Sequence, residues 1–310
     1  MFPTAWDIQA GLASLKRDKV PGPNNLPPAV MKAGGETLAR HLTTLFTKTT
    51  AHAAEPLHWK GGRLVPLWKG KAAPDLAHAY RSIFISNYSS KLYHQTVRRH
   101  LVNTWEAGIR HLQCGGRRGV GTDVAHHIVQ LHQHWATVAK LPTAVLFLDL
   151  RSAFYMVLRQ TITSVPSNNE AFLAAMEKLG LPLDQVLAMA TSAEQEVATE
   201  GLSNHLQRVL HDMLTNTHFT TQGIADPCLT TRGTRPGDPV ADILFNLCMS
   251  KLLTDFHAMM EDAGTLPWLG QANWVTDFSK AEPLPSEGYI DVTFVDDCAI
   301  LVHAKDNHRC

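Results

Sequence analysis

Two kinds of hydrophobic pattern follow one another along the chain. Short runs rich in β-branched and aromatic residues predict strands at 63–68, 79–86, 143–150 and within 289–303. Apolar residues three and four positions apart predict helices at 5–19, 26–53, 89–105, 122–140 and 240–260. Residues 156–225 are predicted to be mostly helical. This order predicts an α/β protein, more narrowly α+β, in which a small antiparallel sheet is backed by helices.

Three aspartates lie at the ends of two predicted strands. Asp149 ends TAVLFLDL, while Asp296 and Asp297 lie at the tip of a predicted tight hairpin, where alternation is expected to put Asp296 on the face of Phe294. If these strands are neighbours, the carboxylates repel one another unless a cation lies between them. Hard divalent cations prefer carboxylate oxygen, and two of them can stabilise a phosphoryl displacement. The pattern predicts a site for two Mg²⁺ ions, or Mn²⁺ in their place, although an Asp-Asp pair alone is commonly turn chemistry.

Charge is unevenly distributed along the 310 residues, although the formal net charge is zero. Residues 1–118 contain 17 lysines and arginines against 6 acidic residues, a balance of +11, and residues 119–310 contain 11 against 22, a balance of −11. Such asymmetry indicates nucleic-acid contact through the basic half, with uneven surface charge as the simpler explanation.

Composition argues against several classes of protein. No run of 18 apolar residues exists, so we expect no membrane span, and the N-terminus lacks the apolar core of a signal peptide. The five cysteines form no C-x-x-C pair, which argues against a zinc site or a disulfide framework. We therefore expect an intracellular protein of the nucleus or cytoplasm that is not secreted.

Five segments in order resemble the reverse-transcriptase domain of non-LTR (LINE-type) retrotransposons, which is related to the polymerases of group II introns and telomerase. The segments are KRDKVPGPNNLPPAVMK (16–32), the basic stretch 59–101, LFLDLRSAFYMV (146–157), RGTRPGDPVADILFNL (232–247) and FVDD (294–297). The resemblance covers nearly the whole chain. It implies a right-hand polymerase fold, with basic fingers over 1–121 and a palm over 122–310 that carries a helical insertion at about 156–225.

The resemblance also implies an activity and a set of partners. The expected enzyme is an RNA-directed DNA polymerase that joins a dNTP to a primer 3′-OH on an RNA template, using two metal ions. Because the chain stops 13 residues after Asp297, we expect the family's thumb to be missing from it. We therefore expect a fragment of a larger polyprotein, whose thumb and endonuclease would lie outside this sequence.

Matching positions carry the family's residue roles onto this chain. Asp149, Asp296 and Asp297 match the catalytic, metal-binding carboxylates. Residues expected to bind the dNTP are Lys69 and Arg81 on the triphosphate, Phe154 as the aromatic gate against a 2′-OH, and Gly237. Further expected nucleic-acid contacts are Lys71, Lys91, Arg117, Arg118 and Arg235.

Four positions depart from the family's usual pattern. Tyr155 stands where a second aspartate is common after the gate, and Ser82 stands where proline follows the arginine. Pro236 replaces a frequent glutamine, and Asn24 replaces a frequent aspartate. None of these departures touches the three carboxylates.

Three other functions stay open at the level of sequence. A nucleic-acid-binding relic would keep the basic half and perform no chemistry. An RNA-directed RNA polymerase is disfavoured by Phe154, because a ribonucleotide polymerase must admit the 2′-OH. A nucleotide-cyclase-like palm fits the basic half and the 235–239 loop poorly.

Overall fold

Mixed helix and sheet make up the described chain, as the hydrophobic pattern predicts. The computed structural model describes residues 2–150, 152–163, 199, 201–224, 226–264 and 291–303. In these ranges the helices are α1 Ala5–Ser14, α2 Pro28–His52, α3 Tyr88–Gly108, α4 Thr122–Val138, α5 Ala153–Met156, α6 Asn204–Leu214 and α7 Ala241–Asp262. The strands are β1 Gly61–Trp68, β2 Tyr80–Ser86, β3 Thr143–Asp149, β4 His218–Thr220, β5 Cys228–Leu229, β6 Asp291–Phe294 and β7 Asp297–His303.

The chain divides into two compact units, and each is built from two separate stretches. Met1–Ala107 and Phe154–Phe245 form the first unit, while Gly108–Ala153 and Asn246–Cys310 form the second. Each unit contains one small sheet, so each can bury apolar side chains of its own.

The first unit contains a four-stranded sheet in the order β2-β1-β4-β5. Strands β1 and β2 form a long antiparallel pair that runs from Gly62 opposite Ser86 to Trp68 opposite Tyr80. Strand β4 lies parallel to the start of β1, and β5 is antiparallel to β4. Helix α3 buries Leu92, Val97 and Leu101 through its 3.6-residue period, which is the pattern seen in the sequence.

Three aromatic rings form the centre of the first unit. The ring of Phe46 on α2 lies edge-on to Trp59 and Tyr93, with centroid distances of 5.6 and 5.4 Å. All three side chains are fully buried. Aromatic pairs in this geometry add about 0.5–1.5 kcal/mol each beyond the burial of their surface.

The second unit contains a three-stranded antiparallel sheet in the order β3-β7-β6. Helix α4 packs on one face of this sheet. The core residues between them are Cys114, Val129, Val292, Ala299 and Leu301. Because β-strand side chains alternate, this covered face also carries Val145, Phe147 and Asp149 of β3. Helix α4 does not cover this face as far as Asp149, because Phe147 is already 71% exposed.

The structure refines several expectations about elements. The predicted division of 26–53 into two helices is confirmed, because α2 has non-helical dihedral angles at Gly35. The helical period over 240–260 predicts Leu252 facing inward, but Leu252 is exposed and Leu253 is buried instead. Part of the expected helical stretch 156–225 is helical in α6, yet β4 also lies there, and 164–198 lies outside the described residues.

Two further expectations concern a loop and a membrane span. Almost all of the expected loop 261–288 lies outside the described residues. Across the ranges that the structure describes, none of the helices combines the length and the apolar character needed to cross a bilayer.

Candidate functional site

Two of the three predicted aspartates face each other across neighbouring strands. Strand register makes Asp149 the partner of Asp297, and Asp297 is in turn the partner of Phe294 in the hairpin. Residues directly opposite each other in an antiparallel pair project to the same face, with Cβ atoms about 4.5–5.5 Å apart. The convergence expected of residues 149 and 297 is therefore present.

The third aspartate lies in the turn, which corrects the expected face. The two-residue turn consists of Val295 and Asp296, so Asp297 rather than Asp296 shares the face of Phe294. Val295 has φ of 60°, in the left-handed region that β-branched residues rarely enter. Positive φ at the first turn residue suits a type II′ hairpin, where glycine is usual. Holding valine there costs about 1–3 kcal/mol, and such strain clusters at functional sites.

Like charges shape the electrostatics of this hairpin. The pKa of Asp297 is raised by slight desolvation and by repulsion from Asp296 and Asp149. Asp149 and Asp297 are exposed, and Asp296 is half-buried. Within the described ranges, no three His, Cys, Asp or Glu side chains are grouped closely enough to hold a metal ion. The described arrangement is therefore a facing pair of carboxylates with a third in the adjoining turn.

Lys69 and Arg81 lie on one face of the β1–β2 pair in the first unit. Arg81 is opposite Leu67, and the amide of Lys69 donates to the carbonyl of Ala79, so alternation puts both cations on the same side. Both side chains are exposed. Lys69 Nζ also donates to the carbonyl of His78 at 3.2 Å, which holds the ammonium against the hairpin loop.

The remaining basic residues expected to contact nucleic acid differ in exposure. Lys71 and Arg118 are exposed. Arg117 is half-buried and donates to the carbonyl of His111 at 3.1 Å. Lys91 is half-buried over the ring of Tyr88, and burial lowers its pKa against the opposing influence of Asp238.

Gly237 has a structural reason to be glycine. Its φ is +100°, and a Cβ there would lie 2.9 Å from the carbonyl oxygen of Phe84 on β2. The missing side chain thus permits a close approach to β2, the strand that carries Arg81. The loop containing Gly237 is pressed against β2.

Arg235 corrects an expected nucleic-acid contact. Its side chain is buried, with the residue only 6% exposed. The guanidinium lies 3.3 Å from Asp238 and donates to the carbonyl of Lys60 at 3.4 Å. Its positive charge is paired with the buried carboxylate of Asp238. Because the side chain is buried, nucleic acid cannot reach it.

A buried charge network holds the same loop, and sequence reasoning missed it. His94 on α3 bonds to Asp238 through Nδ1 and to Glu55 through Nε2, each at 2.6 Å. Burial alone would lower the pKa of His94, but the two carboxylates outweigh it and raise that pKa to about 9. Burial would raise the pKa of Asp238, but His94 and Arg235 lower it to about 2. The imidazole is therefore a cation between two anions.

Phe154 is intermediate in burial between a surface residue and a core residue. It is half-buried, and its ring packs on Phe245 with a centroid distance of 4.9 Å. The next residue, Tyr155, donates its hydroxyl to the carbonyl of Ser82 at 2.9 Å. Two of the departures from the family pattern are thus in contact, and together they tie α5 to β2.

Comparison with known protein families and with curated proteins finds no significant match to this chain. The architecture defines the protein only as one of mixed helix and sheet. An inference about its activity therefore rests on the geometry of the carboxylates and of the basic face.

Proposed function

We propose that this chain is the polymerase domain of a reverse transcriptase, which extends a primer on an RNA template with dNTPs. The observation that carries the proposal is the pairing of Asp149 with Asp297 beside a strained turn that contains Asp296. Carboxylates forced together at an exposed strand end have no evident structural benefit, because like charges directly opposite one another are destabilising. A cation-dependent function would explain why this chain has them there.

Oxygen donors and exposure at this hairpin fit a hard divalent cation. Asp149 and Asp297 would hold Mg²⁺ or Mn²⁺, and Asp296 in the adjoining turn would add negative charge beside them. When bound, such ions polarise phosphoryl oxygens and neutralise charge on the departing pyrophosphate. The repulsion that raises the pKa of Asp297 is the interaction that a cation would reverse.

Residues of the first unit would supply binding and selection of the nucleotide. Lys69 and Arg81, exposed on one face of the hairpin, would bind triphosphate oxygens, Arg81 through its planar fork. Phe154 would occupy the volume that a 2′-OH requires. Its packing on Phe245 would hold the ring in place, so that selection is by shape.

Primer extension on an RNA template tests the proposal directly. The chain is assayed with a DNA primer, dNTPs and Mg²⁺ or Mn²⁺, beside Asp149→Asn and the control Asp226→Asn, which makes the same change at an exposed aspartate in the first unit. We expect extension by the wild type and the control, and none by Asp149→Asn. Undiminished extension by Asp149→Asn would show that these carboxylates do no chemistry.

The exposed cations favour one alternative, a nucleic-acid-binding protein without catalysis. Residues 1–118 carry the +11 balance, and the β1–β2 pair exposes Arg63, Lys69 and Arg81. Binding of an RNA–DNA duplex that weakens steeply with salt, together with no extension under any metal condition, would select this alternative. Extension by the wild-type chain would exclude it.

A further inference from the structure

The segment before α4 is attached directly to the aspartate hairpin in the second unit. The amide of Cys114 donates to the carbonyl of Thr293 at 2.7 Å, and the amide of Thr293 donates to the carbonyl of Leu112 at 3.1 Å. Gln113 therefore forms a parallel bridge beside β6. This single bridge attaches the segment around Gln113 to the edge of the hairpin.

Gly115 brings this segment against the turn itself. A Cβ at Gly115 would collide with the backbone nitrogen and side chain of Val295, the residue held at positive φ. Absence of a side chain thus permits backbone-to-backbone packing under the turn. Gly115 therefore packs directly against the residue that precedes Asp296.

Two buried amides fix the position of Gly115. Gln113 Nε2 donates to the carbonyl of Asn246 on α7 at 2.9 Å, and Asn246 Nδ2 donates back to the carbonyl of Gly115 at 2.9 Å. Both residues are fully buried. The two bonds run in opposite directions between the same pair of backbone segments, so together they resist both sliding and separation.

We propose that Gln113 and Asn246 are positioning residues, an amide latch that sets the Val295–Asp296 turn through Gly115 and so places Asp296 and Asp297. As a statement about activity, this inference rests on the proposed polymerase function. The latch is uncharged, so it holds the turn without adding to the charge of the aspartates. A charged partner in the same place would disturb their affinity for a cation.

Removing one side of the latch is the test. Asn246→Ala removes the donor to Gly115, and Asn246→Leu removes the same donor while keeping a similar side-chain size and no charge, so it serves if the alanine variant does not fold. The control is Gln207→Ala, because Gln207 in the first unit also donates its amide to backbone carbonyls, those of Thr199 and Leu202. Amide hydrogen exchange of the 291–303 peptide is measured beside primer extension.

We expect exchange at 291–297 to become faster by on the order of tenfold or more in the Asn246 variants and to stay unchanged in Gln207→Ala. Extension should slow by a similar factor in kcat, while the KM for dNTP changes little, because the nucleotide contacts belong to other residues.

Two outcomes distinguish a failure of the latch proposal from a failure of the proposed polymerase function. Unchanged exchange at the hairpin would overturn the latch, whatever the activity. If the wild-type chain gives no extension but its hairpin exchange still responds to Asn246→Leu, the proposed function is overturned and the latch is supported.

Discussion

Replacing His94 with glutamine is expected to remove about 3–5 kcal/mol from the free energy of unfolding, the usual cost of deleting one partner of a buried ion pair. The imidazole is fully buried, 2.6 Å from both Glu55 and Asp238. Raising its pKa from 6.5 to about 9 corresponds to about 3 kcal/mol in favour of the protonated form in the folded chain. Glutamine is neutral, so Glu55 would lose its buried cationic partner and Asp238 would keep only Arg235, which lies 3.3 Å away. Domains are commonly stable by only about 5–15 kcal/mol, so the loss would be large.

Urea unfolding followed by circular dichroism measures this loss. Wild type, His94→Gln and the control His41→Gln, an exposed histidine on α2, are compared at pH 7. Because folding raises the pKa of His94, its contribution is fully present below pH 6.5 and is lost as the pH rises through about 9. Wild-type stability should therefore fall between pH 7 and 9.5, and the slope should flatten in His94→Gln.

Two results would refute this reasoning about the network. One is a loss below about 1 kcal/mol, which is the size expected for an ordinary hydrogen bond rather than a charged one. The other is a pH slope that stays the same after the substitution, which would mean that other groups titrate in this window. His41→Gln should leave both quantities unchanged.

Three further predictions concern the aspartate hairpin, the glycine loop and the gate. Asp297→Asn should raise the melting temperature slightly while abolishing extension, because it removes repulsion from a functional site; a lower melting temperature in a calorimetric scan would contradict this. Gly237→Ala should cost more than Gly119→Ala in urea unfolding, because both have positive φ but only Gly237 lies against Phe84; equal losses would count against the packing argument. Phe154→Val should raise rNTP relative to dNTP incorporation on the order of tenfold or more in a competition assay, and an unchanged ratio would assign Phe154 to packing alone.

Much of the carboxylate arrangement could be predicted because its signals are local. Alternation and the apolar composition of 143–150 and 289–303 predict two strands, and an Asp-Asp pair favours a turn between strands. The predicted face of Asp296 is wrong because strand alternation does not continue through the turn. A two-residue turn resets the register, so Asp297 rather than Asp296 is opposite Asp149.

Other features had no local signal. Strands β4 and β5 are three and two residues long, and β4 is defined by its pairing with Gly61, far away in the chain. The charge network joins His94, Glu55 and Asp238 from three separate segments. Arg235 has the sequence context of a surface cation, but it is buried and paired with Asp238.

The interleaved construction of the two units has a consequence for synthesis of the protein. Strand β3 pairs with β7, so the ribosome releases about 150 residues between one half of that sheet and the other. Strand β1 likewise cannot pair with β4 until β4 has been synthesised. Loop closure over such distances is slow, and β3, with its apolar edge, is unpaired in the meantime. Nascent chains of this protein should therefore depend on chaperones until the last strand emerges, and neither unit can be produced alone as one continuous stretch of the gene.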